Sequence, residues 1–144
     1  MVIVLADCVF CKIVNGDIPS SEVYSDDQIL AFMDIQPVNP GHILIIPKTH
    51  ANNLKELDPN VGAQMFRLAI RVAEALRKSD VKCEGVNVYL ADGEVAGQKV
   101  PHVHIHVFPR FTGNGFGLKL GPGYGTQPER SELEEIAEKI KSKL

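Results

Sequence analysis

The sequence lacks any apolar run approaching the roughly 20 residues that a membrane-spanning helix needs. Residues 1–6 are apolar, yet they are too few for a secretory leader and have no basic start. Cysteine is scarce. Cys8, Cys11 and Cys83 are too few for a disulfide framework. Positive charge is also short: 15 lysines and arginines stand against 18 acidic residues, for a formal net charge of −3 and a pI of about 5.9. That balance argues against a broad nucleic-acid surface, so no DNA or RNA partner is expected. It leaves room for a small phosphorylated ligand, which needs only local donors. The chain has no internal repeat and no linker. No Gly-Lys-Ser/Thr ending turns its glycines into a phosphate-binding loop. These absences predict one domain over residues 1–144, no membrane contact and a cytoplasmic location.

What is present is concentrated in residues 100–110. Three of the five histidines, His102, His104 and His106, occupy alternate positions there. Val103, Ile105 and Val107 fill the places between. In a strand successive side chains point to opposite faces, so the pattern predicts three imidazoles on one face and three β-branched residues on the other. A helix would scatter the imidazoles around its circumference. Pro101 and Pro109 fit the ends of such a strand and not its middle. One histidine on a strand is usually structural. Three in strict alternation point to chemistry, because imidazole is a general acid or base, a nucleophile and a metal ligand.

The rest of the chain reads in order. Cys8-Val9-Phe10-Cys11 has the spacing of half a metal site, of a redox dithiol or of two inert buried thiols, with metal ranked first. Residues 12–16 close a short helix, with Gly16 as its C-terminal cap. Two short strands around Ser25-Asp26-Asp27 form a hairpin. Pro37-Val38-Asn39-Pro40-Gly41 is a rigid loop, followed by His42. Ile43-Leu44-Ile45-Ile46 reads as a buried central strand ended by Pro47. Asp58-Pro59 starts the main helix, whose stripe of Val61, Met65, Leu68, Ala69, Val72 and Leu76 is core. Arg67, Arg71, Arg77 and Lys78 make a solvated face. Residues 86–90 are a further strand, and a glycine-containing loop leads to the histidines. Six glycines lie within residues 113–125. Ser131 and Glu134 form a capping box at the start of the last helix. The fold expected is α+β: a mainly antiparallel sheet of about five strands, one main helix and a C-terminal helix.

Taken together, Cys8, Cys11, Asp34, His42, His50, Gln98, His102, His104 and His106 resemble the histidine-triad (HIT) superfamily. The shared stretches are the His-x-His-x-His motif with its two following apolar residues at His102 to Phe108, Asp34 to His42, the Ala-Gly-Gln ending at Gln98 and the Cys-x-Phe-Cys-x-Ile opening. They run from about residue 8 to residue 110 in the family's order. The resemblance implies a hydrolase that cleaves at the α-phosphorus of a purine nucleotide compound, a dinucleoside polyphosphate first, through a covalent nucleotidyl-histidine. It makes His104 the nucleophile and gives His106 the phosphate. Gln98 donates to phosphate or leaving group, and His42 and His102 support the triad. Asp34 accepts from the ribose hydroxyls. Phe10, Ile13, Phe32 and Ile35 line the base slot, although by residue type alone all four are equally ordinary core. Two departures stand out: Ala91 where relatives often carry Asn or Gln, and Lys99 where they often carry Ser or Thr. A nucleoside phosphoramidase is the rival enzyme, and a non-catalytic nucleotide-binding or scaffold protein the distant alternative.

The same resemblance implies a structural zinc on Cys8, Cys11, His50 and His102, with no organic cofactor. The family's habit also implies a two-fold homodimer with its sheets joined across the interface.

Overall fold

A computed structural model describes residues 2–144. It divides into two compact units, the first running to Asn114 and the second from Gly115 to Leu144. Among the described residues no helix is long and apolar enough to cross a membrane.

The first unit is built on the run of aliphatic residues that forms β3 (Ile43–Pro47), buried along its whole length. Around it lie β1 (Glu22–Ser25), β2 (Ile29–Met33), β4 (Gly85–Tyr89) and β5 (Ile105–Arg110). The strands make one five-stranded sheet in the order β1-β2-β3-β5-β4, and every pairing is antiparallel. Strand alternation sorts the aliphatics to two sides. Ile43, Ile45, Ile105 and Val107 join the core under α2 (Pro59–Lys78), against Met65, Leu68, Ala69 and Val72. Leu44 and Ile46 join a second cluster with Phe32 and with Cys8, Phe10 and Cys11 around α1 (Val9–Asn15). His106 pairs with Leu44 in register, so the histidines face the α1 side.

Both helix boundaries follow from the chain. The Asp58 carboxylate accepts from the Asn60 N–H at 2.8 Å, and Pro59 opens α2. Gly16 caps α1 in the left-handed region, at φ +82°.

Two expectations about the histidine segment need correction. The regular ladder begins only at Ile105; residues 100–102 are bends and 103–104 are irregular. Pro109 lies inside β5, opposite Val86, and not at its end. The reason is local. β3 pairs with β5 only as far as Val107, and the Pro109 carbonyl on that side accepts from Asn39 Nδ2 at 2.8 Å. The N–H that proline lacks would point the same way, past the end of the β3 ladder.

The second unit carries the glycine-rich stretch and α3 (Arg130–Lys141). Its N-cap is Glu129, with no side-chain capping bond, so the capping box at Ser131 does not form; Ser131 already lies inside the helix. Leu133, Ile136 and Ile140 give α3 an apolar face that is exposed.

Candidate active site and metal centre

His104 is buried, just before β5. Its Nδ1–H donates to the His102 carbonyl at 2.7 Å. A carbonyl can only accept, so the proton sits on Nδ1 and Nε2 carries a lone pair. Burial lowers the His104 pKa; the His102 carbonyl and the Asp34 carboxylate pull it back in part. The ring is therefore neutral at pH 7, with a free nucleophilic nitrogen. Phe10 sets its ring edge-on to both His104 and His102, at centroid distances of 5.2 and 5.7 Å.

His106 is half-buried, next to His104. Its Nδ1 lies 2.9 Å from His42 Nε2, and burial, with the neighbouring imidazoles, pushes its pKa down to about 4. His42 is buried, and burial lowers its pKa as well, against the pull of Asp34. Its Nδ1 accepts from the Val38 N–H at 3.0 Å, and its Nε2 lies 3.5 Å from Asp34 Oδ2. The other Asp34 oxygen accepts from the Gln36 N–H. Asp34, His42, His104 and His106 thus form one cluster on and beside the interior strands β2, β3 and β5.

Gln98 is turned inward. Its Nε2 donates to the Asn52 carbonyl at 2.6 Å and to the Val100 carbonyl at 3.0 Å, while Oε1 accepts from the Gly93 N–H. Both amide hydrogens are engaged in holding the loop 93–100. Of the four residues expected at a base slot, Phe10 and Phe32 are buried, Ile13 is half-buried, and Ile35 projects into solvent at 94 % exposure, so ordinary core is excluded for Ile35.

The metal-ligand set converges. One atom each from Cys8, Cys11, His50 and His102 lies within 4.8 Å of every other. Cys8 Sγ is 3.3 Å from His102 Nδ1, and Cys11 Sγ is 3.3 Å from His50 Nδ1. A tetrahedral zinc with two thiolates and two imidazoles has sulfur–nitrogen edges of about 3.6 Å, close to this spacing. The far ring nitrogens fit the same reading. His102 Nε2–H donates to the Pro47 carbonyl at 2.8 Å. His50 Nε2–H donates to Asn52 Oδ1 at 3.0 Å, and Asn52 Nδ2 in turn donates to Glu56. Each proton is held on Nε2, which leaves Nδ1 bare toward the thiols, as a ligating histidine requires.

The HIT domain family model matches residues 15–113, more than half of the chain. The chain belongs to the HIT domain family. Among HIT relatives, it is 39% identical to adenosine 5'-monophosphoramidase hnt1 of Schizosaccharomyces pombe over 138 residues, 95% of this chain and 98% of that one. The crystal structure of a HIT family member from Bacillus subtilis superposes with a TM-score of 0.86 at 39% identity, covering 96% of this chain and 97% of the other. The structure of a Zn-bound histidine triad family protein from Mycobacterium smegmatis superposes with a TM-score of 0.74 at 36% identity, covering 96% and 98%.

Sequence reasoning did not find several residues around this HIT site. Tyr89, opposite His106 in the ladder, sets its ring 5.6 Å from that imidazole, and its hydroxyl donates to the Ala96 carbonyl. Phe108, which closes the histidine motif, packs on His42 with ring centroids 4.9 Å apart, a contact that the motif alone does not give. Asn52 and Glu56 stand behind His50. Tyr89, Asn52 and Glu56 belong to no motif. Only register and loop path bring them in.

Proposed function

We propose that the protein is a nucleotide hydrolase that cleaves at the α-phosphorus through a nucleotidyl-His104 intermediate. The observation that carries this reading is the orientation of His104, with Nδ1–H on the His102 carbonyl and Nε2 bare. The Nε2 lone pair attacks phosphorus, the bond to the leaving group breaks, and the leaving group departs with its electron pair and takes up a proton. Water then attacks the same phosphorus, gives up its proton, and releases a nucleoside monophosphate and the free imidazole. His106 stabilises charge on the phosphoryl oxygens, with His42 orienting it from behind. Asp34 receives the ribose hydroxyls, and the base lies against Phe10, Ile13, Phe32 and Ile35. Gln98 shapes the loop beside the phosphate. A direct donation to substrate would require it to release the Asn52 or Val100 carbonyl.

Two leaving groups are in play. The phosphoramidase relative favours an amine, with cleavage of a P–N bond. A dinucleoside polyphosphate, with cleavage of a P–O bond, is the second reading, supported by Pro109-Arg110 after the triad and by the Gly93 to Gln98 loop. A purine base fits either. Zinc held by Cys8, Cys11, His50 and His102 is structural: four protein ligands leave no open position, so its part is to tie the N-terminal segment to the sheet. A panel of adenosine phosphoramidate and diadenosine polyphosphates, compared by kcat/KM, tests the proposal. Preference for the phosphoramidate supports P–N cleavage, and preference for the polyphosphates supports the second reading. Turnover of neither, with nucleotide still bound, would leave only a binding protein.

A further inference from the structure

We propose that the backbone N–H of Val38 is a positioning group that fixes the tautomers of His42 and His106, so that His106 offers an Nε2–H donor to its ligand. The deduction runs through three contacts. The Val38 N–H can only donate, and it lies 3.0 Å from His42 Nδ1. That nitrogen must be unprotonated, so the His42 proton sits on Nε2. His42 Nε2 lies 2.9 Å from His106 Nδ1, and a proton on the first requires a lone pair on the second. His106 Nδ1 is then bare, and a neutral His106 carries its proton on Nε2. Reversing the chain would set two N–H groups against each other at His42.

The loop that supplies this amide is stiff. Val38 lies between Pro37 and Asn39, with Pro40 next. Asn39 is buried and held by the Pro109 carbonyl and Asn114. The His42 N–H donates back to the Asn39 carbonyl, and its own carbonyl receives the Asp34 N–H. The same chain of contacts speaks against a second metal centre. Asp34, His42 and His106 present ligand atoms within 4.8 Å of one another. A metal on His42 Nε2 would drive the proton to Nδ1, into the Val38 N–H.

That the His106 ligand is a phosphate rests on the proposed hydrolase activity, whereas the tautomers do not. Long-range 1H–15N correlation of the imidazole rings, on the unliganded full chain with labelled histidine, reads them directly. His42 and His106 are expected to carry their protons on Nε2. Val38→Pro deletes the amide hydrogen, and Val38→Ala keeps it. Val38→Pro is expected to mix the His42 tautomers and lower kcat/KM about tenfold, less than the ~100-fold typical of removing an oriented donor outright. Val38→Ala should match the wild type in both. A proton on Nδ1 of either histidine in the wild type would overturn the proposal, even if Val38→Pro fails to fold. So would Val38→Pro with unchanged tautomers, or Val38→Ala with losses equal to those of Val38→Pro. Expected tautomers in a protein that turns over no nucleotide would leave the proposal standing and remove the hydrolase reading instead.

Discussion

At the scale of single residues, the site depends on imidazoles kept neutral and each held in one orientation. His104→Ala removes the proposed nucleophile. Turnover should fall by roughly three orders of magnitude or more, with nucleotide binding largely retained, as losses of a nucleophile generally go. His42→Ala should cost less, because it disturbs orientation and not bond formation. Steady-state kinetics with equilibrium binding of the product nucleotide separates the two effects. Burial also predicts acid sensitivity. An unfolded histidine takes up its proton near the ordinary 6.5, whereas His106 resists until about pH 4. Between those values the unfolded chain holds more protons, so stability falls as pH falls. Above that window His106 contributes nothing; by pH 4 its share of the loss is on the order of 3 kcal/mol. His42 and His104 shift in the same direction. Thermal unfolding from pH 7.5 to 4 should show a steep acid limb, and His106→Asn should flatten it.

At the scale of elements, the loop and helix ends that carry the site have little slack. Gly41, immediately before His42, sits at φ +102°, and a Cβ there would meet Val81 Cγ1 at 2.9 Å, Leu76 Cδ2 at 3.1 Å and Pro109 Cγ at 3.2 Å. Gly41→Ala combines backbone strain with overpacking and should cost about 2–4 kcal/mol, read as a lower midpoint of urea unfolding. The segment after β3 tests the metal centre. Asn52→Ala removes the acceptor that keeps the His50 proton on Nε2, with Glu56 behind it. Zinc affinity, measured by chelator competition, should fall about 10–100-fold with the fold retained. Unchanged affinity would mean that His50 is not a ligand. These elements were unevenly legible in the sequence. The Asp58-Pro59 start of α2, the Gly16 cap and the buried β3 were plain, because each depends on neighbours in the chain. The false capping box at Ser131 shows the limit: a local pattern competes with the backbone path, and here the helix starts at Arg130.

At the scale of the whole molecule, the first unit ends its sheet on β4, an unpaired edge. Val88 and Tyr89 on that strand are 43% and 42% exposed, and Phe66 and Ile70 on α2 are 54% and 57% exposed. Apolar side chains beside an open sheet edge are an invitation to pair. Two copies joined edge to edge about a two-fold axis would cover them. Light scattering at micromolar concentration should therefore give twice the 15.8 kDa of one chain, and Phe66→Glu should shift the protein toward monomer. A monomeric wild type would rule the dimer out.

The sequence by itself determined the strand alternation that separates imidazoles from β-branched residues, the motif order from Cys8 to His106, and the α+β class. Those follow from side-chain chemistry at fixed spacing along the backbone. Only the tertiary structure decided what each imidazole does with its second nitrogen. The His102 carbonyl, the Pro47 carbonyl, the Asn52 amide and the Val38 N–H come from turns and strands whose approach no spacing encodes. It also turned Gln98 toward Asn52 and Val100, and left Ile35 in solvent where residue type alone allowed core. A hydrogen bond depends on tenths of an ångström and on direction, and both are fixed only when the strands pack.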